Sequence, residues 1–252
     1  MIVESARQYS PSIQFDIFTL FPEMFAGPFD ASILRKAIDA GLIEIAIHQI
    51  RDWTRDRHRT VDDRPYGGGA GMVMMAPPIV EAVESVLGDQ LRHSRKLLMS
   101  PAGVRFNQQI ATTLAGERRI AIICGHYEGF DERIAGILEA DEISIGDYVL
   151  TGGEIPAMAI VDAVARLVPG VIKARSIEEE SHSEGLVEYP QYTRPVEYRG
   201  LTVPDVLLSG HHQQVREWRK TAAGEKQARR DVQESRSLAD SLKSGTTDPA
   251  PR

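Results

Sequence analysis

The sequence predicts an α/β fold built on a mostly parallel sheet. Between Phe15 and Gly170, short apolar runs suited to strands alternate with stretches of helical periodicity. The run Arg119–Cys124 is apolar at consecutive positions, as a strand covered on both faces must be. Most of these runs stop at glycine or proline, the residues that punctuate strands and helices.

Taken in order, Phe15–Phe21 (FDIFTLF) reads as the first strand, stopped by Pro22. Ser32–Ala40 reads as a helix with Ser32 as its cap and Gly41 just past its end. Leu42–Ile47 alternates as a second strand. Arg51–Arg64 is dense in charge and runs into Pro65-Tyr66-Gly67-Gly68-Gly69-Ala70-Gly71-Met72. Four glycines in the five positions 67–71 make regular structure costly, so a long loop is expected there. Pro77–Leu87 reads as a helix with proline in its first turn. A short strand, Lys96–Ser100, ends at Pro101; a helix, Asn107–Ala115, follows. The strand Arg119–Cys124 stops at Gly125, and another, Glu142–Ile145, stops at Gly146. In the clearest helix, Ala157, Ile160, Val161, Val164, Leu167 and Val168 share one face; Pro156 opens it and Pro169-Gly170 closes it.

Beyond Gly170 the character changes. Lys173–Gly185 is polar and carries Glu178, Glu179, Glu180 and Glu184, the composition of a linker. A small helical unit is expected from about Leu201 to Arg230, and residues 231–252 read as a tail rich in Ser, Asp, Gly and Pro, disordered at its end. No internal repeat is evident.

Composition narrows the function. The 252-residue chain has a formal charge of -7, which disfavours indiscriminate coating of nucleic acid. Yet His211–Arg230 holds six Lys/Arg against two Glu, a local basic segment that could meet phosphates. Cys124 is the only cysteine, which excludes an internal disulfide and a thiolate zinc cluster and suits a reducing cytosol. No apolar run approaches the ~18 residues of a membrane span. The opening residues MIVESARQYSPSIQ lack the basic start and apolar stretch of a signal peptide.

Three glycine-bearing loops follow predicted strands: Ser100–Gly103, Cys124–Gly129 and Ile145–Glu154. In open α/β sheets ligands bind beyond the carboxyl ends of strands, and glycine lets backbone approach them closely. Any one of these loops could be a plain turn; three together predict a shared pocket. None has the form of a triphosphate loop or a dinucleotide fingerprint. The run Ile145–Gly153 carries no basic residue, so a phosphate-free ligand such as S-adenosylmethionine fits.

Seven segments, in order, resemble signatures of the bacterial TrmD family of tRNA (guanine-N1)-methyltransferases, in the SPOUT class. They are FDIFTLFPEMF (Phe15–Phe25), RPYGGGAGMVM (Arg64–Met74), CGHYEGFDER (Cys124–Arg133), SIGDYVLTGGEIP (Ser144–Pro156), DAVAR (Asp162–Arg166), YTRP (Tyr192–Pro195) and LSGHH (Leu208–His212). The resemblance covers roughly Gln14 to Lys220. It implies a trefoil-knotted parallel sheet with flanking helices and a small helical C-terminal domain. The implied organisation is an extension over 1–13, a cofactor-binding methyltransferase domain over 14–172, an interdomain linker over 173–185, and a tRNA-binding domain with its tail over 186–252. It also implies a cytoplasmic homodimer with shared active sites that methylates N1 of guanosine 37 in tRNA, using S-adenosylmethionine and Mg2+.

The resemblance places the cofactor pocket at Leu98, Met99, Gly125, Tyr127, Glu128, Ile145, Gly146, Asp147, Tyr148, Val149, Leu150, Gly152 and Gly153. The reaction needs a base for the N1 proton and a cation for the charge that develops on the purine oxygen. Arg166 matches the family's catalytic arginine; read alone, it is the partner of Asp162 at i, i+4 spacing. The family's catalytic aspartate falls at Glu180, within Glu178-Glu179-Glu180-Ser181-His182, so a longer carboxylate stands where Asp is usual. Glu184 is the second candidate, and the run also reads as a solvated acidic linker. His126 occupies a cofactor loop where relatives vary. His211-His212 without nearby carboxylates or cysteines is a weak metal motif. Arg216, Arg219, Lys220, Lys226, Arg229 and Arg230 are candidate phosphate contacts, or a solvated helix face. Tyr66 and the glycines after it could wall the target base. Competing readings are another SPOUT enzyme acting on a different nucleotide, a non-catalytic RNA-binding regulator, and a hydrolase built on Gly67–Gly71, which lacks the Lys-Ser/Thr pair of a phosphate loop.

Overall fold

Strand β1 (Ile13–Thr19) forms because its residues bury both faces. Ile13, Phe15 and Ile17 point into one apolar layer, and Phe18 into another. The computed structural model describes residues 11–172 and 188–244. They belong to two compact units, Met1–Ala174 and Arg175–Arg252.

In the first unit β1 leads to α1 (Ser32–Asp39), which buries Leu34 and Ala37. The expected Ser32 cap is not made: Ala31 holds the cap position and no side chain bonds the first turn. The end of α1 is closed as expected by Gly41, with Leu42 N–H bonding Ala37 O at 3.0 Å. Then come β2 (Ile43–Gln49) and a short antiparallel pair, β3 (Asp62–Asp63) and β4 (Val73–Met74), which pins both ends of the glycine-rich loop. α2 (Ala76–Leu87), β5 (Arg95–Arg105), α3 (Gln108–Leu114), β6 (Arg119–Cys124), α4 (Arg133–Leu138), β7 (Asp141–Ser144) and α5 (Glu154–Ala165) complete the alternation. The side chain of Asn107 caps α3 by accepting from Ile110 N–H at 3.0 Å.

The five long strands form one sheet in the order β2-β1-β6-β5-β7, and every neighbouring pair is parallel. One apolar layer packs α1, α3 and α5 against Ile13, Phe15, Ile120 and Ile122. The opposite layer packs α2 and α4 against Phe18, Ala121 and Ile123. Double burial explains why β1 and β6 are nearly free of exposed polar positions. The carboxylate within β1, Asp16, is itself fully buried and accepts hydrogen bonds from His48 Nε2 at 2.8 Å and Arg119 Nε at 2.7 Å.

The second unit contains a small hairpin, β8 (Glu197–Tyr198) and β9 (Leu201–Thr202), then α6 (Asp205–Leu208) and the long helix α7 (His212–Ser244). α7 continues through Asp231 to Ser244, well past the Arg230 limit the sequence suggested. The expected linker 173–185, with Glu180 and Glu184, lies outside the described residues.

Candidate functional site

β5, β6 and β7 are adjacent in the sheet, and beyond their carboxyl ends opens a cavity of about 450 Å³. The three glycine loops read from the sequence form its walls. Leu98, Met99, Gly125, Tyr127, Glu128, Ile145, Gly146, Tyr148, Val149, Leu150, Gly152 and Gly153 all line it. Asp147 does not: its exposed carboxylate forms an ion pair with Arg105.

Local backbone geometry shapes the walls. The register between β5 and β7 shifts between Met99 and Val104, both of which face Ile143, so Ser100–Ala102 bulge out as a rim. Gly103 then passes against the backbone of Glu142 and Ile143 where a Cβ has no space. At the opposite wall Gly153 N–H bonds Gly125 O at 2.8 Å, and a Cβ on Gly153 would lie 2.7 Å from the Gly125 nitrogen. A second layer braces the loop after β6. Met74 N–H bonds Gly129 O at 2.9 Å, Asp131 N–H bonds Met74 O at 2.9 Å, and Glu128 N–H bonds Met72 O at 3.0 Å. The glycine-rich loop is thereby tied to the cavity, while Tyr66 stands fully exposed.

The cavity is acidic. Glu128, Asp131, Glu132 and Glu142 line it, and among the described residues its wall contains no lysine or arginine. Hydrogen bonds from Arg133 bring the Asp131 carboxyl down to about 2, so it remains charged at neutral pH. Such a wall suits a cationic ligand without phosphates. Asp131, Glu132 and Glu142 were missed as lining residues, although the first two stand inside CGHYEGFDER. Next to the wall, Glu154 is buried at the start of α5 and accepts a hydrogen bond from Thr19 Oγ1 at 2.7 Å. Its role was missed because Pro156 was read as the helix start, which left Glu154 in the loop. Burial, and after it the nearby Glu154 charge, pushes the Cys124 thiol well up, so Cys124 acts as a small apolar core residue.

Arg166 follows the last turn of α5, its N–H bonding Asp162 O at 3.2 Å. Pro156 is the α5 residue that lines the cavity, and the ten residues from there carry Arg166 about 15 Å away along the helix axis. In the second unit, Arg216, Lys220, Lys226, Arg229 and Arg230 are exposed along α7. Arg219 differs: its guanidinium lies over the Tyr189 ring at 4.6 Å and its Nε is buried, which makes it a packing residue rather than an open phosphate contact. His211 and His212 are exposed, and among the described residues no three His, Cys, Asp or Glu converge on a metal position. Among the described residues no helix is long and apolar enough to cross a membrane.

Fold and cavity together define a parallel α/β protein with a cavity beyond its strand ends, lined by glycine-bearing loops and carboxylates. The family model described as tRNA (Guanine-1)-methyltransferase TrmD matches residues 13–235. A tRNA (guanine-N(1)-)-methyltransferase of Thermomicrobium roseum is 62% identical over 84% of this chain and 79% of its own length. Proteins of the same description from Pelotomaculum thermopropionicum and Chloroflexus aggregans are 59% and 58% identical, over 82% and 83% of this chain and 84% and 82% of their own lengths. The chain belongs to the TrmD family of tRNA (guanine-1)-methyltransferases.

Proposed function

We propose that this chain transfers a methyl group from S-adenosylmethionine to N1 of guanosine 37 in tRNA. The observation that carries the proposal is the acidic, arginine-free cavity beyond β5, β6 and β7. A sulfonium donor with an ammonium group is attracted by Glu128, Glu132 and Glu142, Asp131 being already paired with Arg133, whereas a nucleotide phosphate is repelled. Bound there, the donor supplies an electrophilic methyl carbon. The backbone of Gly125, Ile145–Leu150 and Gly152–Gly153 orients it, and the close pass of Gly153 on Gly125 fixes that wall.

Guanine N1 carries a proton at neutral pH, and Glu180 is assigned to remove it, with Glu184 as the second candidate. Arg166 stabilises the negative charge that develops on the purine oxygen. The length of α5 keeps Arg166 beyond side-chain reach of the cavity in its own chain. That separation supports a homodimer in which one subunit completes the other's site. The exposed cations of α7 contact tRNA phosphates. Among the described residues no three His, Cys, Asp or Glu converge on a metal position, and the Mg2+ that the family resemblance implies is assigned to the RNA. A cytoplasmic location follows from the substrate.

The test is transfer of labelled methyl to tRNA transcripts with guanosine or another base at position 37. Labelling of the guanosine form alone is expected. Equal labelling of both forms would favour a different target nucleotide, and binding without transfer a non-catalytic regulator.

A further inference from the structure

Two buried polar atoms beside the cavity have no hydrogen-bond partner: Glu154 Oε2 and His126 Nδ1. They face each other at 3.9 Å, too far for a hydrogen bond and close enough for one after a shift of about 1 Å. Natural proteins rarely leave such atoms unsatisfied without a reason. His126 lines the cavity and Glu154 stands just behind the opposite wall. His126 lies in the loop after β6, its ring 4.8 Å from Phe21 and 5.3 Å from Tyr127. Glu154 heads α5 directly after the Gly152–Gly153 turn, and the bond from Thr19 fixes its other oxygen. The first turn of a helix is a favourable place for a carboxylate. Gly152 keeps the space between the two walls clear: a Cβ there would lie 2.5 Å from His126 Nδ1 and would also press on Glu154.

We propose that His126 and Glu154 are positioning residues of the methyl-donor pocket. A proton on the imidazole lets Nδ1–H bond Oε2 and draws the Gly125–Glu128 loop onto the Gly152–Gly153 turn. The inference rests on the reading that this cavity takes the donor. The charged ring carries N–H on both nitrogens and always donates to Oε2, whereas the neutral ring with its proton on Nε2 turns a lone pair toward the carboxylate, so gain of a ring proton closes the brace. The other ionisable groups close to it are Tyr127, Glu128 and Cys124. The end of β1 and the turn after it contribute Thr19 and Phe21, and β4 contributes Met74, whose sulfur accepts the backbone N–H of His126 at 3.2 Å. None of these three is ionised near neutral pH.

Two measurements on the full chain test the proposal. Crystals equilibrated near pH 5.5 and pH 8 are expected to show the 3.9 Å gap closed to hydrogen-bond distance only at the lower pH. An unchanged gap at both, or a water bridging the two atoms at both, would overturn it. Calorimetric titration with S-adenosylmethionine over the same range is expected to show affinity rising about threefold or more toward low pH. His126→Gln, Glu154→Gln and the double variant should each lose that component, the double no more than either single. Wild-type pH dependence retained in His126→Gln would defeat the proposal even if the gap closes. Failure of the donor to bind wild type at any pH would instead overturn the methyl-donor reading, and the crystals would still decide whether the pair closes.

Discussion

Gly153 donates its N–H to Gly125 O at 2.8 Å, and the Cα of Cys124 lies 2.8 Å from where a Gly153 Cβ would sit. The Gly125 nitrogen, the Cys124 Cα and the Met99 Cβ that obstruct it are all fixed to the backbone and cannot swing away. Gly153→Ala is therefore expected to push the α5 start off the loop after β6. Donor affinity measured by calorimetry should fall by about tenfold or more. Gly136→Ala is the control, since nothing lies within 4 Å of a Cβ there and the site is helical. It should leave donor affinity unchanged and raise stability by about 0.5–1 kcal/mol. Equal loss of binding in both variants would remove the role given to the close pass.

Burial alone would raise the Asp16 carboxyl, but hydrogen bonds from His48 and Arg119, with their charges, outweigh it and hold it below the ordinary value. Its contribution is fully present above the unfolded value of about 4 and is lost as pH falls through the lower folded value. Urea unfolding at stepped acidic pH should show wild type losing stability over that window, with a shallower slope in Asp16→Asn. At neutral pH the variant should cost about 3 kcal/mol, because Arg119 loses its buried partner.

Arg166→Ala is expected to lower turnover by about a hundredfold or more while the donor still binds, since Arg166 does not line the cavity. Glu180→Ala should behave the same way. If Glu180→Ala keeps full transfer activity and Glu184→Ala loses it, the base is Glu184. Light scattering should report twice the chain mass; a monomer with full activity would contradict the shared site.

On α7 the cations divide by burial. Arg216→Ala and Lys220→Ala should weaken tRNA binding similarly for all transcripts and reduce its salt dependence, each by about one phosphate contact. Arg219→Ala should instead lower the melting temperature, through the lost packing on Tyr189. A salt-slope change in Arg219→Ala as large as in Arg216→Ala would argue against that division.

The strands buried on both faces were the most legible elements. β6 was read at Arg119–Cys124, the range it occupies, because consecutive apolar residues leave few alternatives. β5 was cut short at Ser100, since Pro101 reads as a stop. In the structure it runs to Arg105, because the register shift lets the chain bulge and then rejoin β7. α4 went unread because six residues are too few to show a helical period. At the cavity, glycines at strand ends were visible as a pattern. The facing of His126 and Glu154 was not, because their meeting depends on how two loops distant in sequence fold against each other.

The pairing of β1 with β6 sets a requirement on synthesis. Phe15 lies opposite Ile120, so the middle of the sheet cannot form until the segment ending at Cys124 has left the ribosome. Until then the emerging chain carries β1 with one ladder edge unfilled, a sticky apolar ribbon of the kind chaperones hold.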